Sequence, residues 1–126
     1  MRLTVLETRL TVCRLPADSP IPAWLDDAGD FVSITRTPDE LSIVAASDAI
    51  PADLPQEGPW RAFKVQGPLV MTLIGVVAAL ADPLRDGGIA IFAISSFDTD
   101  YVLVHEPDVA AAVEALTAAG YEVAPN

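Results

Sequence analysis

Two stretches of the chain share one layout of apolar and polar positions. Phe31 to Val44 (FVSITRTPDELSIV) and Ile91 to Val104 (IFAISSFDTDYVLV) each run apolar, turn polar at a tip, then run apolar again. That is the pattern of two strands joined by a tight turn. Laid over each other without a gap at an offset of 60, they put Ile34 on Ile94, Thr35 on Ser95, Glu40 on Asp100, Ile43 on Leu103 and Val44 on Val104. Past the segment, Asp48 falls on Asp108. The tips hold turn formers, Thr37-Pro38-Asp39 in one and Asp98-Thr99-Asp100 in the other. The match reads as a duplicated hairpin.

Around the second hairpin a larger unit emerges. Trp60 to Gln66 alternates and reads as a strand. Gly67-Pro68 breaks it, and Pro68 suits the first turn of a helix, where its missing N–H costs nothing. From there Val70, Leu73, Ile74, Val77, Leu80, Ala81 and Leu84 recur at helical spacing, with Met71, Gly75, Val76 and Ala79 off that stripe. Asp86-Gly87-Gly88 ends the helix, glycine supplying the left-handed cap. A strand from Ile89 to Ser96 follows, then its partner Tyr101 to His105. Glu106-Pro107-Asp108 opens a second helix with Val109, Ala112, Val113 and Leu116 on one face; Gly120 stops it, and Tyr121 to Val123 makes a last strand. The order is β-α-β-β-α-β, the ferredoxin-like arrangement.

The first half abbreviates the same plan. Leu3 to Leu15 reads as one long strand, Pro22 to Asp26 as a short helical turn, and the first hairpin follows. The Pro-rich stretch between Asp48 and Pro59 lacks periodicity and reads as a connector where a second helix would sit. The expected fold is α+β, two tandem ferredoxin-like (βαββαβ) units: an abbreviated unit with its connector over 1–59 and a complete unit over 60–126. Ile89 to Ile94 is apolar on both faces. With the small residues off the helix stripe, this points to extra burial, either between the two units or in a homodimer.

Composition narrows the function classes. Lys and Arg number 7 against 18 Asp and Glu, a net charge of −11, so no basic stripe exists to displace phosphate counterions and nucleic acid is not an expected partner. An anionic membrane surface is disfavoured likewise. The longest apolar run, Leu69 to Ala81, is shorter than the roughly 20 residues a spanning helix requires. The N-terminus MRLTVLETRL has no signal-peptide core, and a cytoplasmic location is expected. Cys13 is the single cysteine, which leaves no internal disulfide and no cysteine-based zinc site; its apolar neighbours predict a buried thiol.

Catalytic groups are sparse. His105 is the single histidine, with no second ligand spaced for a metal. Ser95 or Ser96 with His105 and an Asp could form a hydrolytic set, but no G-x-S-x-G motif is present. Gly67-Pro68 lacks the Lys and glycine spacing of a phosphate loop, and no G-x-G-x-x-G occurs. Asp98 and Asp100 are a carboxylate pair at a turn tip, where Asp serves the backbone. No catalytic residue, metal or cofactor is expected.

The stretch from Gly67-Pro68-Leu69 to Ser95-Ser96-Phe97-Asp98-Thr99-Asp100-Tyr101-Val102-Leu103-Val104 resembles the ACT-domain proteins of the CASTOR-like group, which includes small bacterial tandem ACT-like proteins and the cytosolic arginine sensors. Ile21-Pro22-Ala23-Trp24, Phe31 to Thr37 and Glu40 to Val44 match the group's N-terminal unit. The resemblance implies ACT-type units, a regulatory role and an amino acid or similar small ligand. Carried over by position, it implies ligand binding by Gly67, Pro68, Leu69, Ser95, Ser96 and Asp100. Physically, N–H groups at a helix start would take the carboxylate, and hydroxyls with an Asp would take the ammonium; the same three polar residues could equally serve only the turn. The arginine sensors carry more ACT units, so a second copy of this chain would be needed to rebuild their pocket between units. The expectation is a non-enzymatic amino-acid sensor acting as a homodimer. A ligand-independent adaptor for a protein partner is the alternative, and a small hydrolase or isomerase using Ser95 and His105 a further one.

Overall fold

The computed structural model describes residues 2–66 and 75–125. Its strands are β1 (Arg2–Val5), β2 (Leu10–Leu15), β3 (Ser33–Arg36), β4 (Leu41–Ala46), β5 (Gln56–Val65), β6 (Phe92–Ser95), β7 (Asp100–His105) and β8 (Glu122–Pro125), and its α-helices are α1 (Val76–Asp86) and α2 (Val109–Ala118). Short 3₁₀ turns lie at Ala23–Asp27, Ser47–Ala49 and Glu106–Asp108. The chain divides into two compact units, one of residues 9–59 and one of residues 1–8 with 60–126. The expected boundary at 59/60 stands, and the expected start of the N-terminal unit needs a correction: the first eight residues belong to the C-terminal unit.

The cause is visible at the start of the chain. The expected single strand from Leu3 to Leu15 is two strands, separated by an exposed Glu7-Thr8-Arg9. Leu3 and Val5 alternate inward on β1 and pair with Val65 and Phe63 of β5. Beyond Val5 the Leu6 N–H still reaches the Ala62 carbonyl at 2.9 Å, and then the chain departs.

In the C-terminal unit β5-α1-β6-β7-α2-β8 keeps the ferredoxin-like order, and the sheet runs β6-β7-β5-β1-β8. β1 lies between β5 and β8, antiparallel to the first and parallel to the second. Val76, Leu80 and Leu84 of α1 and Ala112 and Leu116 of α2 bury against Leu3, Val5, Phe63, Val65, Val102 and Val104 of the sheet. Val76, expected off the apolar stripe, thus belongs to the core. Spacing of four along α1 sets this face, while Val70, Leu73 and Ile74 lie outside the described residues. Both helices end as their glycines predict. Gly88 (φ +74) and Gly120 (φ +97) take left-handed conformations, letting Ile89 N–H bond Leu84 O at 2.9 Å and Tyr121 N–H bond Leu116 O at 3.1 Å.

Pro83 sits inside α1, where it cannot donate to the carbonyl four residues back. That carbonyl, Ala79, instead accepts a bond from the Tyr121 hydroxyl at 3.2 Å. The side chain that follows α2 thereby fills the gap that proline leaves in α1.

The N-terminal unit is an antiparallel sheet in the order β3-β4-β2. Cys13, Leu41, Ile43 and Ala45 bury with Ala28 and Ile50, and Trp24, Leu25, Ala49 and Leu54 cover them partly. No α-helix lies in this unit among the described residues; 3₁₀ turns and loops do the covering. The stretch read as a connector ends in ladder, since β5 starts at Gln56.

The duplicated hairpin is present, but the offset is 59 instead of 60. Arg36 pairs with Leu41 at the end of one ladder and Ser95 with Asp100 at the end of the other. Each closes with the same bond at 2.9 Å, Thr37 N–H to Glu40 O and Ser96 N–H to Thr99 O. Three consecutive buried residues follow in each, Ile43-Val44-Ala45 and Val102-Leu103-Val104, and then a 3₁₀ turn. Both second strands are apolar on both faces, so a slip of one still sets apolar upon apolar. The turn carries the register, and its residues differ between the copies. The strand expected from Ile89 to Ser96 also shortens to Phe92–Ser95, with Ala93 and Ser95 exposed.

Candidate functional site

The tip of the β6–β7 hairpin gathers three of the expected ligand-binding residues. Ser95 and Asp100 are the last pair of the ladder, and the Ser95 hydroxyl donates to Asp100 Oδ1 at 2.7 Å on the exposed face. Ser96 Oγ donates to the Thr99 carbonyl at 3.1 Å. Thr99 itself is buried, and its hydroxyl donates to the Val65 carbonyl of β5 in a short bond. That bond fastens the turn to the end of the strand from which the chain runs toward Gly67. Gly67, Pro68 and Leu69 lie outside the described residues.

The tip also carries a residue that motif reading passed over. Phe97 is 80% exposed, between two serines and two aspartates. An aromatic side chain left in water at a tight turn forfeits about 1.5–3 kcal/mol of available burial. A phenylalanine inside a run of turn formers was the available signal.

In chemical terms the tip offers hydroxyls, one carboxylate and an exposed ring. Asp100 Oδ1 accepts from Ser95, and an ionised carboxylate keeps further acceptor sites for an ammonium or guanidinium. His105 is not part of this cluster. It stands at the other end of β7, about 16 Å of extended strand from Asp100. Its ring stacks on Trp60, its partner across the ladder, with centroids 3.8 Å apart. The hydrolytic pairing of Ser95 with His105 is therefore not assembled. Among the described residues no cluster of His, Cys, Asp and Glu could hold a metal ion, and no helix is long and apolar enough to cross a membrane.

A family model for the ACT domain matches residues 56–118, from the start of β5 to the end of α2. The chain belongs to the ACT-domain family. The hairpin tip lies inside the matched ACT region, and a second model, described as an N-terminal domain, matches residues 9–53. That second match coincides closely with the unit enclosed in sequence between β1 and β5.

Solved structures share the architecture over nearly the whole ACT protein. Protein Atu0741 from Agrobacterium tumefaciens is 42% identical, with a TM-score of 0.90 over 99% of this chain and 92% of that one. VC0802 from Vibrio cholerae, described as a possible transport protein, is 18% identical with a TM-score of 0.74 over 93% and 89%. The regulatory subunit of aspartate kinase from Thermus thermophilus, in ligand-free form, is 16% identical with a TM-score of 0.66 over 94% and 96%. At such identities the last two speak for the fold alone. No curated protein matches the chain.

Proposed function

We propose that this ACT-domain protein is a cytoplasmic, non-catalytic regulator that binds a small molecule, an amino acid first among the candidates, and works as a homodimer. Membership of the ACT family over residues 56–118 carries this reading, and the likeness to the regulatory subunit of an aspartate kinase supports it. The ligand would be held at the β6–β7 tip by Ser95, Ser96 and Asp100, and the resemblance adds Gly67, Pro68 and Leu69 to the candidate set. Asp100 supplies the anion for an ammonium, and the hydroxyls of Ser95 and Ser96 supply orientation. The resemblance to the CASTOR-like group makes arginine the first ligand to try.

A thermal-shift screen of the full chain against the twenty amino acids, followed by calorimetry, tests the reading. At least one amino acid should raise the melting temperature, and Asp100→Ala should abolish that response while the variant stays folded. Silence from all twenty would overturn it. The 80% exposure of Phe97 favours a second reading, a ligand-independent adaptor that seats this ring in a protein partner. Capture of the same partner with and without amino acids, lost in Phe97→Ser, would favour the adaptor.

A further inference from the structure

A second place in the C-terminal unit is shaped for a ligand, and it lies away from the hairpin tip. Where β1 ends and β8 runs beside it, Val5, Val113, Val123 and Pro125 line a cavity of about 350 Å³, with Arg61 and Glu7 completing the wall. That volume is at the lower end of the range for small-molecule sites, and the combination of apolar walls with a few polar groups is what such sites share.

Arg61 is the reason to read this cavity as a site. It sits on β5, and alternation directs its side chain to the sheet face that also carries Phe63 and Val65, the face covered by the helices. Its Nε–H donates to the Leu6 carbonyl at 2.8 Å, which fixes the plane of the guanidinium. Among the described residues no carboxylate pairs with it, although the chain carries 18 acidic residues against 7 basic ones. A half-buried guanidinium that lines a cavity, with its Nε–H taken by a backbone carbonyl, still has terminal N–H groups with which to take a carboxylate. The opposite requirement is met close by. Glu7 is exposed and lines the same cavity, so an ammonium would find a counter-charge there. Three valines and a proline supply apolar wall for a short branched hydrocarbon.

We propose that this cavity binds an α-amino acid with a small aliphatic side chain, the carboxylate on Arg61, the ammonium on Glu7, and the side chain among Val5, Val113 and Val123. The site is independent of the tip: it uses β1, β5, α2 and β8, and none of the residues assigned there.

Titration of the full chain with L-valine, followed by amide NMR shifts, is the test. Valine should move the amides of 5–7, 61, 113 and 123–125 and leave those of 95–100 in place. Arg61→Met should weaken valine at least about tenfold, the loss of one charge-assisted contact, and Arg61→Lys should recover part of it. Glu7→Gln should weaken valine but not 3-methyl-2-oxobutanoate, which lacks the ammonium, and valinamide, which lacks the carboxylate, should bind as poorly to wild type as valine does to Arg61→Met. Val113→Phe, which fills the cavity with Arg61 intact, should also block binding and covers the case that Arg61→Met disturbs β1. Unchanged valine affinity in Arg61→Met and Val113→Phe, no shift at millimolar valine, or shifts confined to 95–100 would each overturn the proposal. The tip reading is judged separately by Asp100→Ala, so either site can fail alone.

Discussion

The two hairpins show how much of a fold a turn can hold while the sequence around it changes. Both close a four-residue loop with the same backbone bond, and both hand on to three buried residues and a 3₁₀ turn. Their fastenings differ. In the β3–β4 loop the Thr37 hydroxyl accepts from the N–H groups of Asp39 and Glu40 at 3.1 and 3.2 Å, all in water. In the β6–β7 loop the Thr99 hydroxyl is buried and reaches out of the loop to Val65. One loop is tied to itself and the other to its sheet. The cores beneath differ in the same sense: two α-helices cover the C-terminal sheet, whereas 3₁₀ turns and loops cover the N-terminal one. A rigid tip over a helix-covered sheet is the better platform for a ligand.

The largest test of that contrast strikes both cores. Phe63 is 1% exposed beneath the helices, and Phe63→Ala should cost about 3–5 kcal/mol, because helices locked by their own ladders cannot settle into the space. Ile43→Ala, at the centre of the N-terminal core, should cost about 2–3 kcal/mol, the low end for its class, since loops can close in. Urea unfolding read at Trp60 for the first and Trp24 for the second measures both. The reverse order would break the comparison.

A middle-sized effect separates the two fastenings. Thr99→Val keeps the shape but removes the buried donor to Val65 and should cost about 1–3 kcal/mol. Thr37→Ala frees two exposed N–H groups that water can satisfy and should cost less than about 1 kcal/mol. Equal losses in urea titrations would mean that both loops are held from within.

Which of these features the sequence announces depends on the physics behind each. The presence of two hairpins, the helix stops at Gly87-Gly88 and Gly120, and the α2 face of Ala112 and Leu116 rest on local chemistry and periodicity, and they stand as read. The division of Leu3 to Leu15 was illegible because Leu3 and Val5 have the same alternation as Leu10 to Leu15; only pairing with β5 and β8 decides which sheet takes them. The offset of 59 was hidden because β4 and β7 lack a polar face. At the site, Ser95 and Asp100 meet as turn chemistry suggested. Arg61 could not be found the same way, since its meaning comes from Leu6, Val113 and Val123, all distant in sequence.

The smallest effect probes the difference in core chemistry. Among the described residues the fully buried members of the C-terminal cluster include no titratable side chain, whereas those of the N-terminal one include Cys13, 2% exposed. Burial pushes its thiol above the ordinary range, because the thiolate loses its hydration inside the sheet. With the folded pKa raised, the contribution to stability is fully present below the unfolded thiol's value of about 8.5 and is lost as pH climbs past it and through the folded value. Stability read at Trp24 should therefore decline above that point in wild type, and more steeply than in Cys13→Ala, where only groups common to both titrate. Parallel declines in the two proteins would show that the thiolate is accommodated, and that the loop-covered core admits water beside Cys13.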